Sequence, residues 1–249
     1  LVWLVKAGHE QALDPIITLY SQTREGEKGI NMFEAHSELF VKEQHFKAIA
    51  NFYSEAALSE NKPQLMNKAI SLNYKAVRPL YELGLSAYTS EDYVKAIYYW
   101  RELVCQFTLF APLFIDQLAH SYKQLNLTHQ FHDLLCDLLD KGGVLIKIKH
   151  CQALLEQGNT KQAFEFLTDS LKRQPTIRGF SFLLQLLAKQ NNDIKDVLDQ
   201  IDKLVTSYIA TKPDFQCQHC GLTSHTIYWN CPSCKHWETI VPSRGLDGF

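Results

Sequence analysis

Small and large apolar residues recur along the middle of the chain, from about residue 44 to 177, with a period close to 34 residues. In the predicted first helix of each unit, a small residue recurs at Ala50, Gly84, Ala119 and Cys151. A matching series in the predicted second helices stands at Lys62, Ala96, Phe131 and Ala163, and both series step by 34, 35 and 32 residues. Large apolar side chains follow the second series four residues later, at Met66, Trp100, Leu135 and Leu167. These coincident steps favour a helical repeat over an irregular helical bundle.

The alternation of small and large residues is typical of the tetratricopeptide repeat. Two antiparallel helices need a small residue where their backbones approach, and bulky residues to fill the groove to the next unit. Lys62 and Phe131 depart from the pattern, because they stand where small residues are expected. We therefore predict a mainly α-helical protein, with a tetratricopeptide-repeat α-solenoid over residues 1–210.

A further amphipathic stripe follows the repeats and predicts a closing helix over residues 193–210 that covers the last repeat. Its apolar residues keep a three-four spacing, at Ile194, Val197, Leu198, Ile201, Leu204, Val205, Tyr208 and Ile209. Thr211, Lys212 and Pro213 then end the helix, since the residue before a proline disfavours helical geometry. The short joint leads to a predicted small C-terminal module over residues 214–249, here called the metal module.

The first 43 residues leave two helix layouts open. Residues 26–29 are predicted to form a polar loop, and residues 31–43 form either a separate helix or the first part of a long helix that ends at Leu58. The chain starts inside an apolar stretch without an initiator methionine, so we expect an N-terminally truncated protein.

Two cysteine hairpins in the metal module predict one metal ion held by four thiolates. Cys217 and Cys220 form the first C-x-x-C pair, and Cys231 and Cys234 form the second, ten residues further on. Two such turns can close a tetrahedron of sulfurs around zinc or iron. A segment this small cannot bury enough core to fold alone, so the metal must supply most of its folding free energy.

Other roles for these residues are less favoured. A disulfide or redox pair would suit an oxidising compartment, but three more cysteines stand singly inside helical patterns, at Cys105, Cys136 and Cys151. His219, His225 and His236 could replace a ligand, although four cysteines already complete the set.

Composition and charge exclude several classes of protein. The net charge is −2, and the metal module together with Lys212 of the joint carries three basic and three acidic residues, so the basic face that nucleic-acid binding needs is missing. No apolar run approaches the ~20 residues that cross a bilayer. Catalytic motifs are also poorly supported: Gly142 and Gly143 form no phosphate loop, and His129 and His132 have no carboxylate placed by a known pattern.

Stacked helix pairs create a groove lined by the first helix of each unit, which favours a binding function. The phase set by Gly84 predicts groove positions that suit peptide or protein recognition, since aromatic and arginine side chains often anchor interfaces. These predicted partner-binding residues are Lys47, Asn51, Arg78, Tyr81, Tyr88, Asp116, His120, Lys123 and Gln152. The alternative is that the tyrosines only pack between repeats.

Several motifs together resemble the lipopolysaccharide assembly protein B (LapB) family, whose C-terminal module is rubredoxin-like. The tail carries the specific part of the resemblance, in residues 215–221, 228–234, Trp237, residues 239–240 and the Arg-Gly-Leu-Asp-Gly run at 244–248. The helical part is similar more loosely, over residues 49–58.

The resemblance implies a non-catalytic adaptor in the regulation of lipopolysaccharide biosynthesis. Members promote proteolysis of the LpxC deacetylase by the FtsH protease, together with inner-membrane lipopolysaccharide regulators. They are held at the cytoplasmic face of the bacterial inner membrane by an N-terminal helix, which we expect to be missing here, so that the remaining fragment is soluble.

The resemblance also leaves a redox or electron-transfer protein with a four-cysteine iron site as the alternative. The module departs from ordinary rubredoxin, because only ten residues separate the hairpins and Lys235 replaces a glycine after the second. Both changes alter the amide donors that tune a metal's potential, which disfavours electron transfer.

Overall fold

The computed structural model describes residues 2–6, 9–60, 62–72 and 76–249. Thirteen α-helices lie in these ranges, joined by short 3₁₀ turns at Glu10–Ala12, Ser37–Leu39, Thr108–Leu113 and Asn192–Ile194. The helices are α1 Val2–Lys6, α2 Leu13–Thr23, α3 Gly26–Ala35, α4 Glu43–Glu60, α5 Pro63–Leu72, α6 Val77–Thr89, α7 Tyr93–Gln106, α8 Ile115–Gln124, α9 Thr128–Leu138, α10 Val144–Glu156, α11 Thr160–Arg173, α12 Ile177–Gln190 and α13 Lys195–Ala210. Three short strands follow, β1 Phe215–Cys217, β2 Thr223–Ser224 and β3 Ile240–Pro242, in the sheet order β2-β1-β3.

The predicted repeat helices are confirmed. Helices α4, α6, α8 and α10 carry the first small-residue series, and α7, α9 and α11 carry the second. The small residue matters most at Gly84, where an added Cβ would lie 2.2 Å from the indole of Trp100. The prediction for Lys62 was wrong: α5 begins at Pro63, so Lys62 precedes the helix. The mainly α fold with tetratricopeptide-type helix pairs is therefore established.

Of the two predicted layouts, the structure has the separate helix, although α3 begins earlier than expected and ends at Ala35. The supposed polar loop at 26–29 is the first turn of α3, and α4 begins separately at Glu43. Close packing explains these glycines, because a Cβ on Gly29 would lie 2.6 Å from the ring of Phe52. The glycines allow α3 to approach α4 instead of breaking the helix.

The end of the helical region also needs a correction. Helix α12, which the sequence analysis did not predict, covers the last repeat by packing on α10 and α11. Thr176 starts this helix, since its side-chain oxygen accepts a hydrogen bond from the amide of Gly179 at 3.3 Å. Helix α13 packs on α12 instead, partly through the carboxylate of Asp202, which accepts from Ser181 and Gln185. Much of the α13 apolar stripe stays exposed, including Leu204 at 72%.

The chain divides into two compact units. The first unit contains residues 1–103, 217–221 and 228–240, and the second contains residues 104–216, 222–227 and 241–249. Each unit therefore combines helices with parts of the C-terminal segment, and the boundaries at residues 210 and 214 stay a prediction. No helix in the described part of the chain has the length and apolar character needed to cross a membrane.

Within the second unit, the last residues of the chain pack on the helices. The carbonyl of Leu246 accepts a hydrogen bond from the amide of Ile177 at the start of α12, at 2.8 Å. The guanidinium of Arg178 lies 4.0 Å from the ring centroid of Phe249. Arg244 donates to the carbonyl of Lys141 at 3.1 Å. Two residues of the Arg-Gly-Leu-Asp-Gly motif, Arg244 and Leu246, thus help to attach the end of the chain to the helices.

Candidate metal centre and partner-binding surface

Two tight turns bring the four cysteines together within the first unit. The amide of Gly221 donates to the carbonyl of Cys217, and the amide of Lys235 donates to the carbonyl of Cys231, both at 2.9 Å. Gly221 has φ 78° and Lys235 has φ 62°, so both residues adopt the left-handed conformation. Lys235 thus reproduces the turn that a glycine makes in the first hairpin.

The sulfur positions fit a tetrahedral thiolate site. All four Sγ atoms lie within 4.8 Å of one another, and the Cys217–Cys234 and Cys220–Cys231 pairs are 3.7 Å apart. A tetrahedron with Zn–S bonds of 2.3 Å requires sulfurs separated by about 3.8 Å. A disulfide would need ~2.05 Å, and all seven cysteines of the chain are described with free thiols. The four cysteines therefore form a rubredoxin-like metal-binding site.

The thiol pKa values differ widely within the cluster. Burial raises the pKa of Cys217, but its hydrogen bonds with the Thr239 side chain and with the backbone at His219 and Cys220 outweigh burial and hold the pKa at about 6. Burial, together with the neighbouring sulfurs, raises the pKa of Cys234 to about 12. Without a metal, four adjacent thiolates repel one another, whereas a bound divalent cation stabilises all of them.

Trp237 fixes the second cysteine hairpin to the helices of the first unit. Its side chain is 4% exposed, and its ring packs edge-on against Phe52 of α4 with centroids 5.4 Å apart. The amide of Trp237 donates to Oε1 of Gln44 at 2.7 Å. This part of the metal module therefore packs on the helices of the first unit.

Glu238 adds a polar contact to the same interface. One of its carboxylate oxygens, Oε1, accepts hydrogen bonds from the amides of Val77 and Arg78 at 3.1 and 3.2 Å, and from the side chain of Asn51 at 3.2 Å. The two amides belong to the first turn of α6, so Glu238 satisfies donors that the helix leaves unpaired. Burial raises the pKa of Glu238, although these hydrogen bonds oppose the shift.

Of the five predicted partner-binding residues in the first unit, all but Tyr88 lie close to the metal module. Asn51 is fully buried beneath Glu238, and Lys47 forms an ion pair with Glu43 at 3.0 Å. Arg78 lies 5.9 Å from the Trp229 ring centroid, and the Tyr81 ring lies 5.8 Å from it. Tyr88 packs instead on Trp100 and Tyr93 within its own helix pair. Partner binding by these five residues stays a prediction.

The other four predicted residues lie in the second unit, and three of them line one open pocket of about 620 Å³. His120 and Lys123 are exposed on α8, whereas Gln152 accepts a hydrogen bond from Lys149 on α10 at 2.9 Å. Asp116 lies beside the pocket and forms an ion pair with Lys149. The lining also includes His129 and Glu156, so basic side chains outnumber acidic ones.

Sequence reasoning missed two groups of residues. Gln44 and Glu238 connect the metal module to the helices, but an isolated polar residue in a sequence gives no sign of a partner almost 200 positions away. Cys136 lies within hydrogen-bonding range of His132 and His150. The sequence spacing paired His132 with His129 instead, because His150 belongs to the next helix.

Comparison with known proteins supports the resemblance. Residues 215–242 match a family described as a rubredoxin metal binding domain, the LapB zinc ribbon. Lipopolysaccharide assembly protein B of Escherichia coli K12 is 28% identical over 96% of the chain, and the protein of the same name from Haemophilus influenzae is 25% identical over 94%. The resemblance to lipopolysaccharide assembly protein B is thereby confirmed. The chain spans 64% and 61% of the lengths of these two relatives.

Among solved structures, the chain is similar to the Pseudomonas aeruginosa PilF protein. The sequence identity is 17% and the TM-score is 0.46, over 82% of this chain and 100% of the other.

Proposed function

We propose that this protein is a non-catalytic adaptor in lipopolysaccharide assembly, which promotes degradation of the LpxC deacetylase by the FtsH protease. Its proposed place of action is the cytoplasmic face of the bacterial inner membrane. The observation that carries the proposal is the similarity to lipopolysaccharide assembly protein B over 96% of the chain, together with the four-cysteine site. Other inner-membrane regulators of lipopolysaccharide synthesis are proposed as further partners.

The helix pairs of the second unit supply a surface for such an adaptor. The 620 Å³ pocket is open to solvent; Lys149 in its lining is paired with Asp116, whereas Lys123 is exposed. The ammonium of Lys123 would attract an acidic segment of a client protein, because complementary charge raises the association rate. The metal module contributes differently in this proposal: its metal holds Trp237 and Glu238 against α4 and α6.

The pocket also gives a cleaner test than the first unit. Arg78 forms an ion pair with Glu55 at 2.9 Å and lies against Trp229, so replacing it would disturb the packing of the metal module. Lys123 is exposed in the pocket, and its replacement leaves the core intact.

We expect Lys123→Glu to weaken binding of the full-length protein to its client by roughly tenfold, or ~1.4 kcal/mol. Binding to purified LpxC and to FtsH-containing membranes would be measured for wild type and variant. Lys161→Glu is the matched control, because Lys161 is 90% exposed on α11 and makes the same charge change outside the pocket.

In cells, the same variant should let LpxC accumulate and lipopolysaccharide rise, whereas the control should not. LpxC turnover that is unchanged in cells lacking the whole protein would contradict the proposed function itself. Normal turnover in the Lys123→Glu strain alone would contradict only the role of the pocket.

An electron-transfer role is the second candidate, and the exposure of Cys220 is the observation that favours it, since a metal close to the surface can exchange electrons. Visible absorption of freshly purified protein separates the two functions. A red iron chromophore that bleaches reversibly at a biological potential supports electron transfer. A colourless zinc protein supports the adaptor.

A further inference from the structure

A second cluster of metal-ligating side chains lies in the second unit, away from the four-cysteine site. It contains His132 and Cys136 of α9 and His150 of α10. His132 and Cys136 are one helical turn apart and share a face of α9. His150 completes the cluster from the next helix, and the three ligand atoms lie within 4.8 Å of one another.

The distances in this cluster fit coordination of one ion. Sγ of Cys136 lies 3.9 Å from Nδ1 of His132 and 3.8 Å from Nδ1 of His150. Zn–S and Zn–N bonds of 2.3 and 2.0–2.1 Å at a tetrahedral angle separate the sulfur from each nitrogen by about 3.6 Å. Each of the two sulfur–nitrogen distances is therefore within a few tenths of an ångström of the separation that a shared metal requires.

The two imidazoles of the cluster lie face to face. The rings stack with centroids 4.9 Å apart, and the ring of Phe166 packs on His150 at 4.8 Å. Burial and the neighbouring His132 lower the pKa of His150. Nε2 of His132 is buried without a hydrogen-bond partner, whereas its Nδ1 faces Cys136.

The third ligand and its surroundings attract a cation. Burial raises the pKa of Cys136, and the nearby carboxylates of Asp133 and Asp137 raise it further. These two carboxylates lie near the cluster, and their negative charge would favour a divalent ion beside Cys136.

We propose that His132, Cys136 and His150 form a second transition-metal site, which binds Zn²⁺ and keeps one coordination position open. One thiolate and two imidazoles are ligands that zinc accepts in tetrahedral sites. Cys136 is exposed, so the fourth position faces solvent and takes water or a donor group from another molecule. Binding releases the thiol proton to solvent.

Metal titration of the full chain tests this site. Protein with the four-cysteine site already loaded with zinc is titrated with Co²⁺ and with Zn²⁺, and the bound metal is counted. We expect wild type to bind one further ion, with the absorption bands of tetrahedral Co²⁺. Cys136→Ser should lose more than about tenfold in affinity, since loss of even a supporting outer-shell group costs 10–100-fold.

Two matched controls should keep the second ion. Cys105→Ser removes another exposed cysteine, and His129→Gln removes an exposed histidine one turn before His132 on α9. Neither residue belongs to the cluster. Equal metal content in wild type and Cys136→Ser would overturn the proposal.

Alkylation provides an independent readout that does not depend on a variant. Zn²⁺ should slow the reaction of Cys136 with iodoacetamide, followed by mass spectrometry, while Cys105 in the same molecule reacts at an unchanged rate. If Zn²⁺ leaves the rate at Cys136 unchanged, the assignment is wrong.

Discussion

At the scale of single residues, Glu238 has the least ordinary environment among the described side chains of the metal module. Its carboxylate is buried against the first turn of α6 and accepts the amides of Val77 and Arg78. A helix terminus usually finds such an acceptor in its own sequence. Here the acceptor comes from the metal module, so Glu238 links the position of the hairpin to the start of a repeat helix.

Two replacements of Glu238 should distinguish the contribution of its hydrogen bonds to stability from that of its charge. Glu238→Ala leaves buried amides without a partner, and we expect the free energy of unfolding to fall by about 1–3 kcal/mol. Glu238→Gln keeps an accepting oxygen and removes the buried charge, so its stability at neutral pH should equal or exceed that of wild type. Urea unfolding followed by tryptophan fluorescence measures both; a glutamine variant as unstable as the alanine variant would contradict this account.

The stability of wild type relative to Glu238→Gln should also depend on pH. Because burial raises the pKa of Glu238 in the folded protein, its protonated form is the stabilising one. This contribution is complete below the carboxyl pKa of the unfolded chain, about 4.3, and is lost as pH rises through the raised value. Wild type should therefore lose stability relative to Glu238→Gln as pH increases over that window, and a constant difference would refute the shift.

At the scale of elements, close contact between paired helices explains the small-residue series. In the pair α6 and α7, Gly84 lies directly against the fully buried indole of Trp100, whose Nε1 donates to the carbonyl of Tyr81 at 3.3 Å. The indole is held by this hydrogen bond and by burial on all sides. It cannot move aside for a methyl group without disturbing its neighbours.

We therefore expect Gly84→Ala to destabilise the protein, although alanine is the better helix former by about 1 kcal/mol. Overpacking against a rigid ring costs about 1–3 kcal/mol. A double-mutant cycle with Trp100→Leu isolates the clash, because Gly84→Ala should become neutral or stabilising once the indole is gone. Ser86→Ala, at an exposed position of α6, is the control. Gain of stability by Gly84→Ala in the wild-type background would rule out the proposed packing constraint.

At the scale of the whole molecule, two sources of stability are combined. The repeat helices gain stability from burial between neighbours, whereas the cysteine hairpins depend on a metal. In the first unit both sources meet at Trp237, which belongs to the same apolar core as Phe52 and Leu13. Removal of the metal should therefore affect tryptophan packing more than helix content.

Replacing both Cys231 and Cys234 by serine tests this division. We expect one metal ion per chain to be lost, helical circular dichroism to change little, and tryptophan emission to shift to the red as Trp237 leaves Phe52. Cys105→Ser, at an exposed site on α7, should behave as wild type. A metal content equal to that of wild type in the double variant would disprove the four-thiolate assignment.

The local features of this protein follow from its sequence. The spacing of Gly84 and Trp100 indicates a helix pair, because a large side chain of the second helix fits only where the first helix has a small residue. The same spacing recurs in every repeat. Four cysteines in two short turns specify a metal site with few alternatives, since ligand type and spacing determine coordination. Errors arose where a residue has two common uses: Gly26 and Gly29 suggested a loop but allow α3 to approach α4.

Contacts between distant segments were decided only by the tertiary structure. Nothing near Gln44 or Asn51 in the sequence indicates that Trp237 and Glu238 pack beside them, because burial and hydrogen bonding depend on which surfaces meet. Tertiary contacts likewise decide that the apolar stripe of α13 stays exposed and that two histidines lie beside Cys136. The sequence shows that a helix face is apolar or that a possible ligand is present. The packing of neighbouring elements determines whether that face is covered and whether the ligands converge.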